Sequence, residues 1–114
     1  MSKYYKMSDF EINKAIAEWF GFSYFGFYEQ NGIMVRCNRL GGDTVTLDYC
    51  NNPADMWPII LENNIVVTPC MGANTGDATG YSEHQNPVIS EFNDNSKALR
   101  AAAIVFLMVM EAGK

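Results

Sequence analysis

Covalent catalysis by a protein side chain needs a nucleophile, a base beside it and a group that orients the base. The chain offers Cys37, Cys50 and Cys70 as thiols and His84 as its only histidine. Cys50 is the best-placed nucleophile, because it stands just before the start of an expected helix, and a helix N-terminus lowers a thiol pKa. Nothing in the spacing brings His84 to it. Asp43, Asp48, Asp55 and Asp77 carry the right ligand atoms for a divalent cation but not calcium-loop spacing. The glycines form neither a dinucleotide fingerprint nor a phosphate loop. The expectation is a protein that is not an enzyme and needs no metal or cofactor.

Binding chemistry is better represented. Between Tyr49 and Ile60 the residues describe a strand-to-helix corner: Asn52 suits an N-cap, Pro53 the first helical position, and Asp55 places a carboxylate near the positive helix end. Free amides at such a corner favour a negative charge. Asn51 and Asn52 can each donate and accept, as a base or ribose edge requires. Phe27, Trp57 and Tyr81 supply flat stacking surfaces, and Arg36 a planar cation that can meet a phosphate with two bonds. With Asp48 and His84 these residues make up an expected site for a small anionic, nucleotide-like ligand, bound without turnover. The alternative is a surface that blocks another protein. A ligand binder should bury Trp57, Tyr81 and Arg36 around a concavity, whereas an inhibitor of a protein should display them.

At 114 residues and 48% hydrophobic content, the chain is expected to form one globular domain. Its net charge of −5, with eight lysines and arginines in total, argues against a nucleic-acid or anionic-membrane binder, since neutralising phosphates takes a basic stripe. An odd number of cysteines without metal-like spacing, and no secretory signal, reads as reduced thiols in a cytoplasm. The apolar run from Ala101 to Met110 is shorter than the roughly 20 residues that span a bilayer.

These groups must be positioned by helices and strands that the pattern suggests in outline. Ser8 and Glu11 fit a capping box, and Ile12, Ala15, Ile16, Trp19 and Phe20 follow one helix face, which makes Trp19 an expected core residue. Residues 22–49 read as three antiparallel strands. The Asn31-Gly32 turn pairs Tyr28 with Val35 and Phe27 with Arg36. A three-residue turn at Leu40-Gly41-Gly42 would set Val35 opposite Leu47, with Tyr24, Tyr28, Ile33, Val35, Cys37, Val45, Leu47 and Tyr49 on the core face. Pro58 lacks an amide donor, so the helix after the corner should be irregular at its start, or begin later with Asp55 as its cap. Ile65 to Thr68 is a short strand. Residues 70–86, rich in glycine and polar groups, read as a loop or lid within a polar insert at about 70–93, and Val88 to Phe92 as a short edge strand. Asn95 or Ser96 would cap a last helix, Lys97 to Ala112, whose apolar character on all sides suits the centre of the fold or a homodimer interface. The expected class is α+β, with a single mainly antiparallel sheet of four or five strands packed with about three helices.

Three segments also carry a resemblance. Met7 to Lys14, Asn51 to Asn63 and Leu99 to Leu107 are similar, in that order, to the motifs of the NinX-like tailed-phage proteins with a phage ABA sandwich domain. Residues Phe22 to Arg39 and Cys70 to Asn93 depart from the pattern. The resemblance implies a phage origin, an α+β fold and residence in the cytoplasm of an infected bacterium. It carries no catalytic residues. It is compatible with a protein that sequesters a host immune signal and with one that inhibits a host defence or regulatory protein.

Overall fold

The computed structural model describes residues 3–20, 26–30, 33–37, 44–70, 72–82 and 86–112, with the backbone alone for 26–30, 33–37 and 44–46. A short 3-10 turn, Lys3–Lys6, leads into α1, Asp9–Trp19, and then into β1, Gly26–Gln30, β2, Ile33–Cys37, and β3, Thr44–Leu47. After the corner come α2, Pro53–Glu62, β4, Val66–Pro69, β5, Gly76–Tyr81, and β6, Pro87–Phe92; a 3-10 turn at Asn95–Lys97 opens α3, Ala98–Ala112. The protein is α+β. Its strands form two three-stranded antiparallel sheets, β1-β2-β3 and β4-β5-β6, instead of one sheet of four or five strands. The expected single sheet fails because β4 pairs with a hairpin drawn from the glycine-rich segment, where a loop was expected.

That hairpin has a physical cause. Gly76, Ala78 and Gly80 alternate along β5, so their small groups share one side of the sheet, where Gly80 meets α3. A Cβ added at Gly80 would sit 2.7 Å from Val105 Cγ1 and 3.1 Å from Val109 Cγ2. A Cβ at Gly76 would run into the Thr68 carbonyl oxygen of the neighbouring strand. Glycine in this stretch marks close approach of backbone and helix, and its period of two is a strand period. Opposite it, Ala101 through Leu107 of α3 are all buried. The apolar surface that suggested a homodimer through residues 97–112 is, over that stretch, already covered within one chain.

Local signals set the helices. Glu11 N donates to Ser8 Oγ at 3.1 Å and Ser8 N to Glu11 Oε1 at 3.2 Å, completing the capping box of α1. Its buried side is Ile12, Asn13, Ile16 and Ala17. Trp19 is 42% exposed, which corrects its expected place in the core, and Phe20 stacks on Phe106 with ring centroids 5.7 Å apart. In α2 the expected irregular or delayed start does not occur: the helix begins at Pro53 with Asn52 as its cap and runs on through Pro58. Pro58 withholds a donor only from the Ala54 carbonyl, and both residues lie on the water-facing side, where solvent can serve that oxygen. The last helix is entered through Asp94, not Asn95 or Ser96, whose carboxylate accepts from Ser96 N at 2.9 Å.

The Asn31-Gly32 hairpin has the expected register, with Phe27 opposite Arg36 and Tyr28 opposite Val35. The next pairing does not. Val35 lies opposite Thr46, not Leu47, and Cys37 opposite Thr44. Val45 and Leu47 therefore fall on the same side of the ladder as Met34 and Arg36, not with Val35 and Cys37 as expected. The expected three-residue turn at Leu40-Gly41-Gly42 lies outside the described residues. Leu47 packs on the core.

Substituting the two glycines of β5 tests the close approach. Gly80→Ala should destabilise the fold by about 1–3 kcal/mol through overpacking, and Gly76→Ala by more, because the atom it meets is backbone and cannot rotate away. Urea unfolding should show a lower midpoint with an unchanged slope; a neutral Gly80 variant would mean that α3 does not press on this strand, and a neutral Gly76 variant that β4 does not crowd it.

Candidate functional site

The polar residues of the corner are held by one network. Arg100 projects from the first turn of a mostly apolar helix, and its Nη1 donates to Asp9 Oδ1 at 2.6 Å. Its Nη2 donates to the Met7 carbonyl, and to that of Tyr5 at 3.4 Å. The other Asp9 oxygen accepts from Asn51 Nδ2 at 2.9 Å, and the same amide reaches Asp48 at 3.1 and 3.2 Å. Asn13, fully buried, donates to Asp48 Oδ1 at 3.1 Å and accepts from Cys50 N at 3.2 Å. Asp55 accepts from Asp48 N at 3.0 Å, strapping helix α2 to the strand end before it. Asp9 and Arg100 are partly buried, with side chains 26% and 18% exposed. Burial by itself pushes the Asp9 carboxyl up; hydrogen bonds from Asn51 and Arg100 and the Arg100 charge outweigh it and hold Asp9 below the ordinary carboxylate range.

A second tie fixes the chain start to the far end of α3. The buried Tyr4 hydroxyl donates to Glu111 Oε2 at 2.7 Å, and burial, then the Glu111 hydrogen bond and charge, push its pKa up to about 12.

This geometry changes the reading of the corner. Pro53 has no N–H; the Ala54 amide donates to Asn52 Oδ1 at 3.0 Å, and the Asp55 and Met56 amides to the Asn52 carbonyl at 3.1 and 3.2 Å. No amide of the first turn is left for a ligand, and Asp9, Asp48 and Asp55 surround the place with negative charge. The expected anion site at this helix N-terminus is therefore absent. Cys50 is likewise no nucleophile: its thiol is buried, and burial, joined by the charge of Asp9, pushes its pKa up instead of down.

The expected ligand residues scatter. Asp48 and Asn51 meet in the network, and Asn52 is spent on its cap. Trp57 stands outward on α2 at 54% exposure, and Tyr81 outward at the end of β5 at 52%. Phe27 and Arg36 are backbone partners on β1 and β2, and their side chains, like the whole of His84, lie outside the described residues. A groove of about 770 Å³ is walled by Tyr5, Cys70, Thr75, Asp77 and Glu91, none of them an expected ligand residue. No group of histidine, cysteine and carboxylate side chains among the described residues is arranged to hold a metal.

Asp9, Asn13 and Arg100 are the polar residues that the sequence reading passed over. A lone arginine inside an apolar helix was the available signal, since a charge there must be paired. Their positions are informative: Asp9 and Asn13 lie in the first resembling segment, Asn51 and Asp55 in the second, Arg100 in the third. The segments that carry the likeness are the ones this network ties together.

The fold and network define a small α+β protein closed by one polar junction. The family model described as Bacteriophage P22, NinX matches residues 3–110, and the chain belongs to that family. No curated protein matches the chain, and no solved structure does. It is a bacteriophage protein, and no described helix is long and apolar enough to cross a membrane.

The junction predicts an acid-sensitive stability. Asp9 has a folded pKa below its unfolded value of about 3.9, so its contribution is complete above that value and is lost as pH falls through the folded pKa. Asp9→Asn should cost about 1–3 kcal/mol at neutral pH, leaving Arg100 without its counter-charge. The gap between variant and parent should close as urea titrations move toward pH 2; a gap of constant size would show that the charge of Asp9 is not what stabilises the junction.

Proposed function

We propose that this phage protein acts by occupying a protein of its bacterial host, a defence or regulatory component, in the cytoplasm of the infected cell, and that it transforms no substrate. The observation that carries this reading is the outer side of α2. A surface helix is expected to be polar toward water. Here Met56, Ile59 and Ile60 cover the core, yet Ala54, Trp57, Pro58 and Leu61 form a second apolar stripe on the exposed side, with Trp57 54% and Leu61 60% exposed. The exposed halves of this tryptophan and leucine gain nothing from burial in the isolated chain, and patches of this kind mark interaction sites. Tryptophan is also the residue most enriched among those that dominate interface energetics.

A small anionic ligand has less to hold it. The helix-terminus amides are consumed, Trp57 and Tyr81 face solvent, and the groove walls carry carboxylates.

Tagged protein recovered from phage-infected cells should bring down a defined host protein. Trp57→Glu with Leu61→Glu should abolish that complex while leaving the unfolding midpoint within about 0.5 kcal/mol of the parent, as exposed positions allow. Calorimetry against cyclic nucleotides, cyclic dinucleotides and ADP-ribose derivatives should show no heat. Nucleotide binding, with host-protein capture unaffected by the double substitution, would reverse the conclusion in favour of ligand sequestration.

A further inference from the structure

The sheet β4-β5-β6 rests one face on α3 and turns the other outward. Residues opposite one another across the strands share a face, so the outward rows follow from the register: Tyr81 with Pro87, then Val66 with Thr79 and Ile89, then Thr68 with Asp77 and Glu91. An antiparallel sheet with one face in water normally alternates to polar residues there. Here Val66 is 53% exposed, Tyr81 52% and Ile89 50%, so one end of the outer face is apolar.

The other end is acidic in an unusual way. Asp77 and Glu91 are direct cross-strand partners, an arrangement of like charges that is unfavourable by itself. The ion pairs among the described residues are Lys3–Glu111, Lys14–Glu18 and Arg100–Asp9, and none of them serves Asp77 or Glu91. From Leu40 to Ser96 there is no lysine or arginine, while eight aspartates and glutamates fall in that stretch; Lys97 and Arg100 line a neighbouring cavity with Glu91, where Arg100 is paired with Asp9. The carboxylate pair opens on the groove of about 770 Å³ whose walls include Tyr5 and Cys70.

We infer that this outer face is a docking surface for a basic, amphipathic segment of a protein partner. Its apolar side chains lie over Val66, Ile89 and Tyr81, and a lysine or arginine enters the groove between Asp77 and Glu91. Charge complementarity selects this occupant. A nucleic acid would be repelled, and the same face of a second copy would set carboxylates against carboxylates. The inference rests on the protein-binding reading above and adds to it a second surface and the chemistry of the partner.

Panning a displayed random peptide library on the full chain tests it, with the best binders synthesised and their affinities measured by fluorescence polarisation. Binders should combine lysine or arginine with apolar residues. Their affinity should fall by roughly tenfold or more in Asp77→Lys with Glu91→Lys and in Ile89→Lys, fall with added salt, and stay unchanged in Trp57→Glu with Leu61→Glu. The milder pair Asp77→Asn with Glu91→Gln, checked for folding by circular dichroism, should give the same direction if charge reversal disturbs the sheet. The inference is overturned if no peptide is enriched, if the binders lack basic residues, or if their binding survives loss of both carboxylates. Binders lost instead in the Trp57 and Leu61 double variant would sink this surface and leave the proposed function standing. No binder, together with no host protein captured, would remove both.

Discussion

A partly buried guanidinium on a mostly apolar helix must be paired, and much of this molecule is arranged around that requirement. Arg100 reaches Asp9 and the carbonyls of Tyr5 and Met7, which fixes the entry to α1 against α3. Asp9 in turn shares the Asn51 amide with Asp48, which fixes the corner before α2 against both helices. Removing either charge leaves the other partly buried without compensation, a larger loss than the pair's net contribution. A junction of this kind also selects one arrangement of three helices whose apolar faces alone would tolerate several, which is the role best attested for buried polar groups.

The second constraint is steric. Sheet β4-β5-β6 comes close to α3 because glycine and alanine alternate along the inner side of β5, letting Val105 and Val109 sit over Gly80. A segment with few large side chains thus contributes to the core by admitting a helix, where most strands contribute by filling space. The two constraints together consume the interior. Buried polar groups of the corner hold one another, the amides of α2 are capped, and Cys50 is sealed in. Among the described residues, the apolar stripe of α2 and the mixed apolar and acidic face of the second sheet are exposed and take no part in this scaffold.

Family membership fits this division. The three segments that carry the likeness meet at the junction, and the outer face of β4-β5-β6 also lies within the matched residues 3–110. In this chain those motifs maintain the scaffold, and β4-β5-β6 supplies an exposed sheet face.

Features set by neighbours in the chain were legible in the sequence. The capping box of Ser8 and Glu11, the Asn31-Gly32 hairpin, the Asn52-Pro53 helix start and the apolar last helix all depend on residues within a few positions of one another, and each is present. Residue types and spacing were also enough for the α+β class. The pairing of Arg100 with Asp9, the register of β3 on β2, the exposure of Trp19 and the strand character of Gly76 to Tyr81 were not legible. Each is decided by a partner far along the chain: a carboxylate at the other end, the length of a connection, the position of a neighbouring helix, the closeness of a sheet. Short-range energies of a kcal/mol or less set the first group, but they yield to tertiary packing wherever burial and charge pairing act over longer separations.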